Sequence, residues 1–241
     1  MQNPRSLDNL SIVLVDTRTP ANIGSVARCM MNTGISRLVL VNPPEDKNGD
    51  IGKLAAGADG IVKQASVAAS LAEAIAGHNL VIGVSRHPGR LRKNVRSPRE
   101  LAEQAVPLLA KNRIALVFGN EINGLESSDL ALCNELVAIP SSEAFPSLNL
   151  SHAVMVVAYE FFIASGAAPS STARELARAD DLERFFRHLE TTLQEIGFLD
   201  REHPERLMAT LRQIFGRARL EERDVAILRG ILSAVDRTCR K

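Results

Sequence analysis

The chain has no tryptophan, one tyrosine and three cysteines, and neither sign of charge prevails: 29 basic against 28 acidic side chains leave a formal net charge of +1. Each shortage excludes something. Cys29, Cys133 and Cys239 are odd in number, widely spaced and without nearby histidines. They argue against a disulfide framework and a zinc site, and read as reduced structural thiols. Near-neutral charge removes the uniformly basic nucleic-acid binders, so an RNA partner has to be met by local patches. So few Trp and Tyr side chains leave little for stacking on exposed bases, which favours readout of backbone and shape. No apolar stretch nears the roughly 20 residues of a membrane span. The polar start Met1 to Asn9 lacks the apolar region of a secretion signal. A cytoplasmic protein with no membrane partner is expected.

Several common signatures are missing as well. There is no Gly-x-Gly-x-x-Gly after a strand, no Gly-x-x-x-x-Gly-Lys-Ser/Thr, no His-Glu-x-x-His and no Gly-x-Ser-x-Gly. Dinucleotide, ATP, zinc-protease and α/β-hydrolase readings lose ground, and no metal is called for. Ser151 beside His152 is a poor nucleophile and base, because adjacent helical residues diverge.

What is present is an alternation of strand and helix. Apolar, β-branched runs at Ile12 to Val15, Leu38 to Val41, Leu80 to Val84, Ile114 to Phe118 and Leu136 to Ile139 read as buried parallel strands. Helical patterns lie between them, at Ile23 to Thr33, Ser70 to Ala76, Pro98 to Ala110 and Leu148 to Ser165, the last closed by Gly166. This predicts an α/β domain over residues 1–166, a parallel sheet with helices on both faces. A linker over 167–179 and a small helical C-terminal extension over 180–241 follow. The extension holds three amphipathic helices, the first ending at Gly197 and the second entered through Pro204 and closed near Gly216.

Three polar, glycine-bearing segments sit where predicted strands give way to helices: Asn22-Ile23-Gly24 running to Arg28, Phe118-Gly119-Asn120-Glu121 running to Gly124-Leu125, and Pro146-Ser147-Leu148-Asn149. Ligands of open α/β sheets bind at the carboxyl ends of strands, so the three loops predict one composite pocket. Local readings compete with that one. Asn22 could cap a helix, Gly24 could serve a close helix-sheet contact, Glu121 could be a surface carboxylate, and Ser147 or Asn149 could cap the long helix.

In order, spacing and residue type the three segments resemble the signature motifs of the SpoU branch of the SPOUT RNA methyltransferases. The helical tail, through Asp180-Asp181-Leu182-Glu183-Arg184-Phe185, Gly197-Phe198, His203-Pro204 and Leu228-Arg229-Gly230-Ile231-Leu232, extends the resemblance to the TrmJ-type subgroup. The resemblance implies a trefoil-knotted fold and a homodimer. It also implies S-adenosyl-L-methionine as cofactor and 2′-O-methylation of cytidine or uridine ribose at nucleotide 32 of a tRNA anticodon loop. A different tRNA position, ribosomal RNA, or a non-catalytic RNA-binding relative are the alternatives.

It further implies roles. Arg28 lies at the reacting ribose, binding phosphate and stabilising the developing alkoxide or, in the bolder version, removing the proton, although guanidinium hardly ever deprotonates. Asn22 orients Arg28 or the substrate, and Glu121 buttresses Arg28 or the knot loop. Gly119 admits the adenosyl group, Ile139 and Leu148 wall the adenine, and Ser147 and Asn149 fix the loop or the substrate oxygen. Val84, Ser85 and Arg86 are further cofactor contacts. Two basic stretches are candidates for RNA: Arg90, Arg92, Lys93 and Arg96 in a Pro- and Gly-broken loop, and Arg212, Arg217 and Arg219 on the second tail helix and its exit. Two solvated surfaces are the plainer reading.

Overall fold

The computed structural model describes residues 6–85, 95–167, 175–199 and 204–239. Among them, strands β1 (Leu10–Val15), β2 (Arg37–Val41), β3 (Ser66–Ala68), β4 (Leu80–Val84), β5 (Val95–Arg96), β6 (Ile114–Phe118) and β7 (Glu135–Val137) form one sheet. Its order is β3-β2-β1-β6-β4-β7-β5, and every pairing is parallel. Side chains of a strand alternate between faces, and the core divides accordingly. Ile12, Leu14, Leu40, Ile82 and Leu116 pack under α1 (Pro20–Asn32), α5 (Pro98–Ala105) and α7 (Leu150–Ala167). Val13, Val15, Val81, Val117 and Leu136 pack under α4 (Leu71–Ile75) and α6 (Ser127–Leu132). The expected two-faced α/β domain is therefore what forms.

Two short helices absent from the sequence reading, α2 (Asp50–Ala55) and α3 (Asp59–Lys63), sit against α1. They explain Gly24. A Cβ there would lie 2.3 Å from the Ile51 carbonyl oxygen and 2.8 Å from the Ala55 nitrogen. The close approach is thus helix to helix, and not helix to sheet as expected. Because backbone cannot swing aside as a side-chain tip can, Gly24→Ala should lower stability by about 1–3 kcal/mol, read as a shifted urea midpoint. An unchanged midpoint would contradict this packing.

The extension is three helices, α8 (Ala179–Glu195), α9 (Pro204–Ala218) and α10 (Glu222–Cys239). Phe185, Phe186, Leu189, Met208, Val225 and Leu232 form its own core, with Phe215 set edge-on to Phe185 at 5.1 Å. Gly197, at φ +72°, ends α8 as expected. Gly166 and Gly216 do not end their helices; both lie inside them. At Gly216 a Cβ would meet the Asn134 carbonyl oxygen at 3.3 Å, so this glycine lets α9 approach the entrance to β7.

At the join, Leu176 donates its N–H to Asn112 Oδ1 at 2.6 Å and Ala179 donates to the His78 carbonyl at 2.7 Å. His78 is buried, with Nε2 3.0 Å from Ser11 Oγ and Nδ1 unpartnered among the described residues. Burial, with Arg113 adding to it, depresses its pKa from 6.5 to about 4. In the unfolded chain the ring takes a proton below pH 6.5, while in the folded chain it stays neutral, so stability falls as pH falls through that window. The loss reaches about 3 kcal/mol near pH 4. Unfolding midpoints taken from pH 7.5 to 4.5 should show it, and His78→Gln should flatten the slope; equal slopes would contradict it.

Candidate functional site

The carboxyl ends of β1, β4, β6 and β7 bring the three sequence segments together. Glu121 follows β6 and is half-buried; its carboxylate accepts from the backbone N–H of Arg18 at 2.9 Å and of Thr19 at 3.1 Å, and from Asn22 Nδ2 at 2.7 Å. A carboxylate can only accept, so it turns the Asn22 amine toward itself and leaves the Asn22 carbonyl facing α7. Asn149 Nδ2 donates to that carbonyl at 3.2 Å. Asn149 Oδ1 in turn accepts from the Ser151 backbone N–H at 2.9 Å and from Ser151 Oγ at 2.8 Å. One relay of fixed polarity thus joins residues of all three segments, 99 and 127 positions apart along the chain.

Desolvation opposes the charge on Glu121. The donors from Arg18, Asn22 and Thr19 outweigh it and hold the carboxyl below its ordinary value. The competing local readings are decided by the same geometry. Asn22 is the third residue of α1, whose N-cap is Thr19, so it does not cap that helix. Asn149 both caps α7, through Ser151, and reaches Asn22. Cys29 sits on the same side of α1 as Asn22 and donates its thiol to the Ser151 carbonyl at 3.4 Å, and burial raises its pKa.

Beside the relay opens a cleft of about 250 Å³. Val84, Ser85, Gly119, Ile139, Ser147 and Leu148, all expected at a cofactor, line it together with Glu121. Phe118, Asn120, Ile122, Asn123, Leu150 and Ala153 complete much of the wall and were not singled out as cofactor contacts by sequence, since each is an ordinary strand-end, turn or helix residue taken alone. A lining that mixes Val84, Phe118, Ile139 and Leu148 with Ser85, Asn120, Glu121 and Ser147 suits a ligand that carries both a flat ring and charged groups. Leu148 keeps 41% of its surface exposed, ready to be covered by such a ring.

Other expectations are placed differently. A Cβ on Gly119 would stand 2.0 Å from the Gly124 carbonyl carbon, so what this glycine admits is the chain's own turn. Asn120 is committed to that turn, its Oδ1 accepting from Ile122 and Asn123 at 3.0 and 2.8 Å. Arg28 is exposed on α1 and is not among the cleft residues. Six residues beyond Asn22, it points about a third of a turn away from it. Glu121 therefore does not buttress Arg28 directly but holds the turn that starts its helix.

Three arginines expected to face RNA are engaged by protein instead. Arg96 Nη1 and Arg219 Nε bind opposite oxygens of Glu135 at 3.0 and 2.6 Å, and both reach Gln104 Oε1. Glu135 is nearly buried, so this cluster clasps the extension to the sheet edge. Arg212 makes a two-point ion pair with Glu183 and stacks 4.4 Å from the Phe186 ring. A run of basic residues shows no acid of its own, but it cannot show acids contributed from Glu135 and Glu183. Arg217 is exposed. Arg86, Arg90, Arg92 and Lys93 lie outside the described residues, as does most of the expected linker. Among the described residues no cluster of metal-binding side chains occurs, and no helix is long and apolar enough to cross a membrane.

Comparison with known proteins agrees with this geometry. The SpoU rRNA Methylase family matches residues 9–159, and the C-terminal domain of tRNA methyltransferase TrmJ matches residues 180–241. The tRNA (cytidine/uridine/adenosine-2′-O-)-methyltransferase TrmJ of Pseudomonas aeruginosa (strain UCBPP-PA14) is 41% identical, covering 97% of this chain and 96% of its own. The crystal structure of TrmJ from Z. mobilis ZM4 superposes with a TM-score of 0.79 at 31% identity, over 94% of this chain and 98% of that one. The SpoU methyltransferase AviRb from Streptomyces viridochromogenes, solved in complex with AdoMet, shares the fold at 20% identity and a TM-score of 0.52, over 66% of this chain and 61% of its own. With the three segments bonded into one relay and both parts of the chain matched, the protein belongs to the SpoU methylase family, in its TrmJ-type branch.

Proposed function

We propose that the chain is an S-adenosylmethionine-dependent tRNA ribose 2′-O-methyltransferase, acting on cytidine or uridine at nucleotide 32 of the anticodon loop. The observation that carries this reading is the cleft bounded by Val84, Ser85, Ile139, Ser147 and Leu148 directly beside the Glu121–Asn22–Asn149 relay. Ile139, Leu148 and Leu150 are suited to hold the adenine, with Ser85 and Ser147 at the polar end. When bound, the cofactor supplies a methyl carbon on a positively charged sulfur, reactive toward an oxygen nucleophile.

The chain's part is alignment and charge. Lining up the ribose oxygen removes much of the entropic barrier, and the relay holds the loops around that position without spare rotamers. Arg28 binds the neighbouring phosphate and steadies negative charge growing on the ribose oxygen. It is exposed on α1 and outside the lining of its own cleft, which supports delivery to the cleft of a second copy. The apolar stripe on α7 supports the same homodimer: Val156, Tyr159, Phe162 and Ile163 are exposed, and so is Met31 on the neighbouring α1. The trefoil knot is part of this proposal, as is a cytoplasmic site of action.

The position is tested with tRNA transcripts and labelled S-adenosylmethionine. A transcript carrying deoxyribose at nucleotide 32 should accept no label, while deoxyribose at neighbouring positions leaves labelling intact. Label that persists on the first transcript would place the reaction elsewhere.

A further inference from the structure

We infer that Phe145 is a stacking surface for a nucleobase of the RNA substrate, set at the mouth of the cleft to position the nucleotide being modified. The inference rests on the proposed RNA substrate and adds a residue to it. Phe145 is 80% exposed, and no large apolar side chain among the described residues is more so. Five of the other phenylalanines, Phe118, Phe161, Phe185, Phe186 and Phe215, are buried or half-buried in the cores.

The loop that presents Phe145 is closed on itself. Its N–H donates to the Ser142 carbonyl at 3.2 Å, and Ser141 Oγ donates to the Pro146 carbonyl at 3.0 Å. The Ala144 N–H also donates, to Ser142 Oγ at 3.3 Å. A ring kept in water by a braced turn costs hydrophobic free energy and little further entropy to use. The turn runs straight into Pro146, Ser147 and Leu148 of the cleft wall, and Ile122, 75% exposed, stands in the same lining. A ribose oxygen brought to this cleft brings its base to the rim. In single-stranded RNA such a base is splayed and stacks on whatever flat apolar surface is offered. In a chain without tryptophan, Phe145 is the ring placed to offer it.

The test uses the full chain, tRNA with 2-aminopurine beside the target nucleotide, and the variants Phe145→Ala and Phe145→Tyr. Stacking of this kind predicts that Phe145→Ala weakens tRNA binding by roughly tenfold and removes the change in 2-aminopurine fluorescence. Phe145→Tyr should stay within about twofold of the parent chain, because the ring remains. Affinity for S-adenosylmethionine, measured by calorimetry, should be unchanged in both. Unaltered tRNA binding in Phe145→Ala overturns the inference. So does an equal loss of cofactor affinity, which would make the ring a support for the cleft wall, or an altered sedimentation coefficient, which would make it a subunit contact. The fluorescence reads binding and not turnover. A parent chain that shows the stacking signal yet transfers no methyl keeps Phe145 and sinks the activity alone.

Discussion

Arg28→Ala should cut methyl transfer to tRNA by about 10²- to 10³-fold, the usual loss when a positioned donor to a developing oxyanion is removed. Its unfolding midpoint and cofactor affinity should stay at parental values. Both halves follow from where the side chain is. Arg28 is exposed on α1 and lies outside the cleft lining, so no packing is lost, and surface changes of this kind stay within about 0.5 kcal/mol. Single-turnover rates, thermal melts and calorimetry separate the outcomes. A variant that melts early, or one that turns over normally, contradicts the role.

Glu121→Ala should fail in the opposite manner, losing stability and function together. Three donors converge on this carboxylate, from Arg18, Thr19 and Asn22, and alanine leaves all of them without their acceptor. Partial access to water softens the penalty, and a loss of about 2 kcal/mol is expected. The relay through Asn22 to Asn149 loses its anchor, so cofactor affinity should drop with the midpoint. The pH profile offers a separate check. Because the donors hold the Glu121 carboxyl below its ordinary value, its contribution is present above the unfolded pKa and disappears as pH falls through the lowered one. The variant should lose that part of the acid-side slope. An unchanged midpoint in Glu121→Ala would show that the first turn of α1 holds itself in place.

The strands that face no water are the ones the sequence shows best. β4 and β6 coincide with their apolar runs, since parallel strands buried on both faces need apolar side chains at every position. β3 and β5, three and two residues long, carry too little apolar surface to announce themselves and exist by pairing with β2 and β7. Gly166 and Gly216 look like helix stops, yet α7 runs one residue past the first and α9 two residues past the second, so each glycine lies in a last turn rather than just beyond it.

At the site, residue types were legible and partners were not. Asn22, Glu121 and Asn149 stand out as polar residues at strand-helix turns, but only the folded backbone shows which amide faces which carboxylate. Ser151, implausible as a nucleophile beside His152, is the relay's far end. The same limit explains Arg96, Arg212 and Arg219, whose charge is visible in sequence while the acids that take it up, Glu135 and Glu183, come from other elements.

The central claim is that this cleft directs a methyl group to a sugar oxygen of tRNA. Alkaline hydrolysis of tRNA labelled by the purified chain tests it most directly, because a methylated 2′-oxygen cannot attack the adjoining phosphate and the bond survives. Label recovered in alkali-resistant dinucleotides is the predicted result. Label recovered in mononucleotides, as methylation of a base would give, or no label at all, would contradict it.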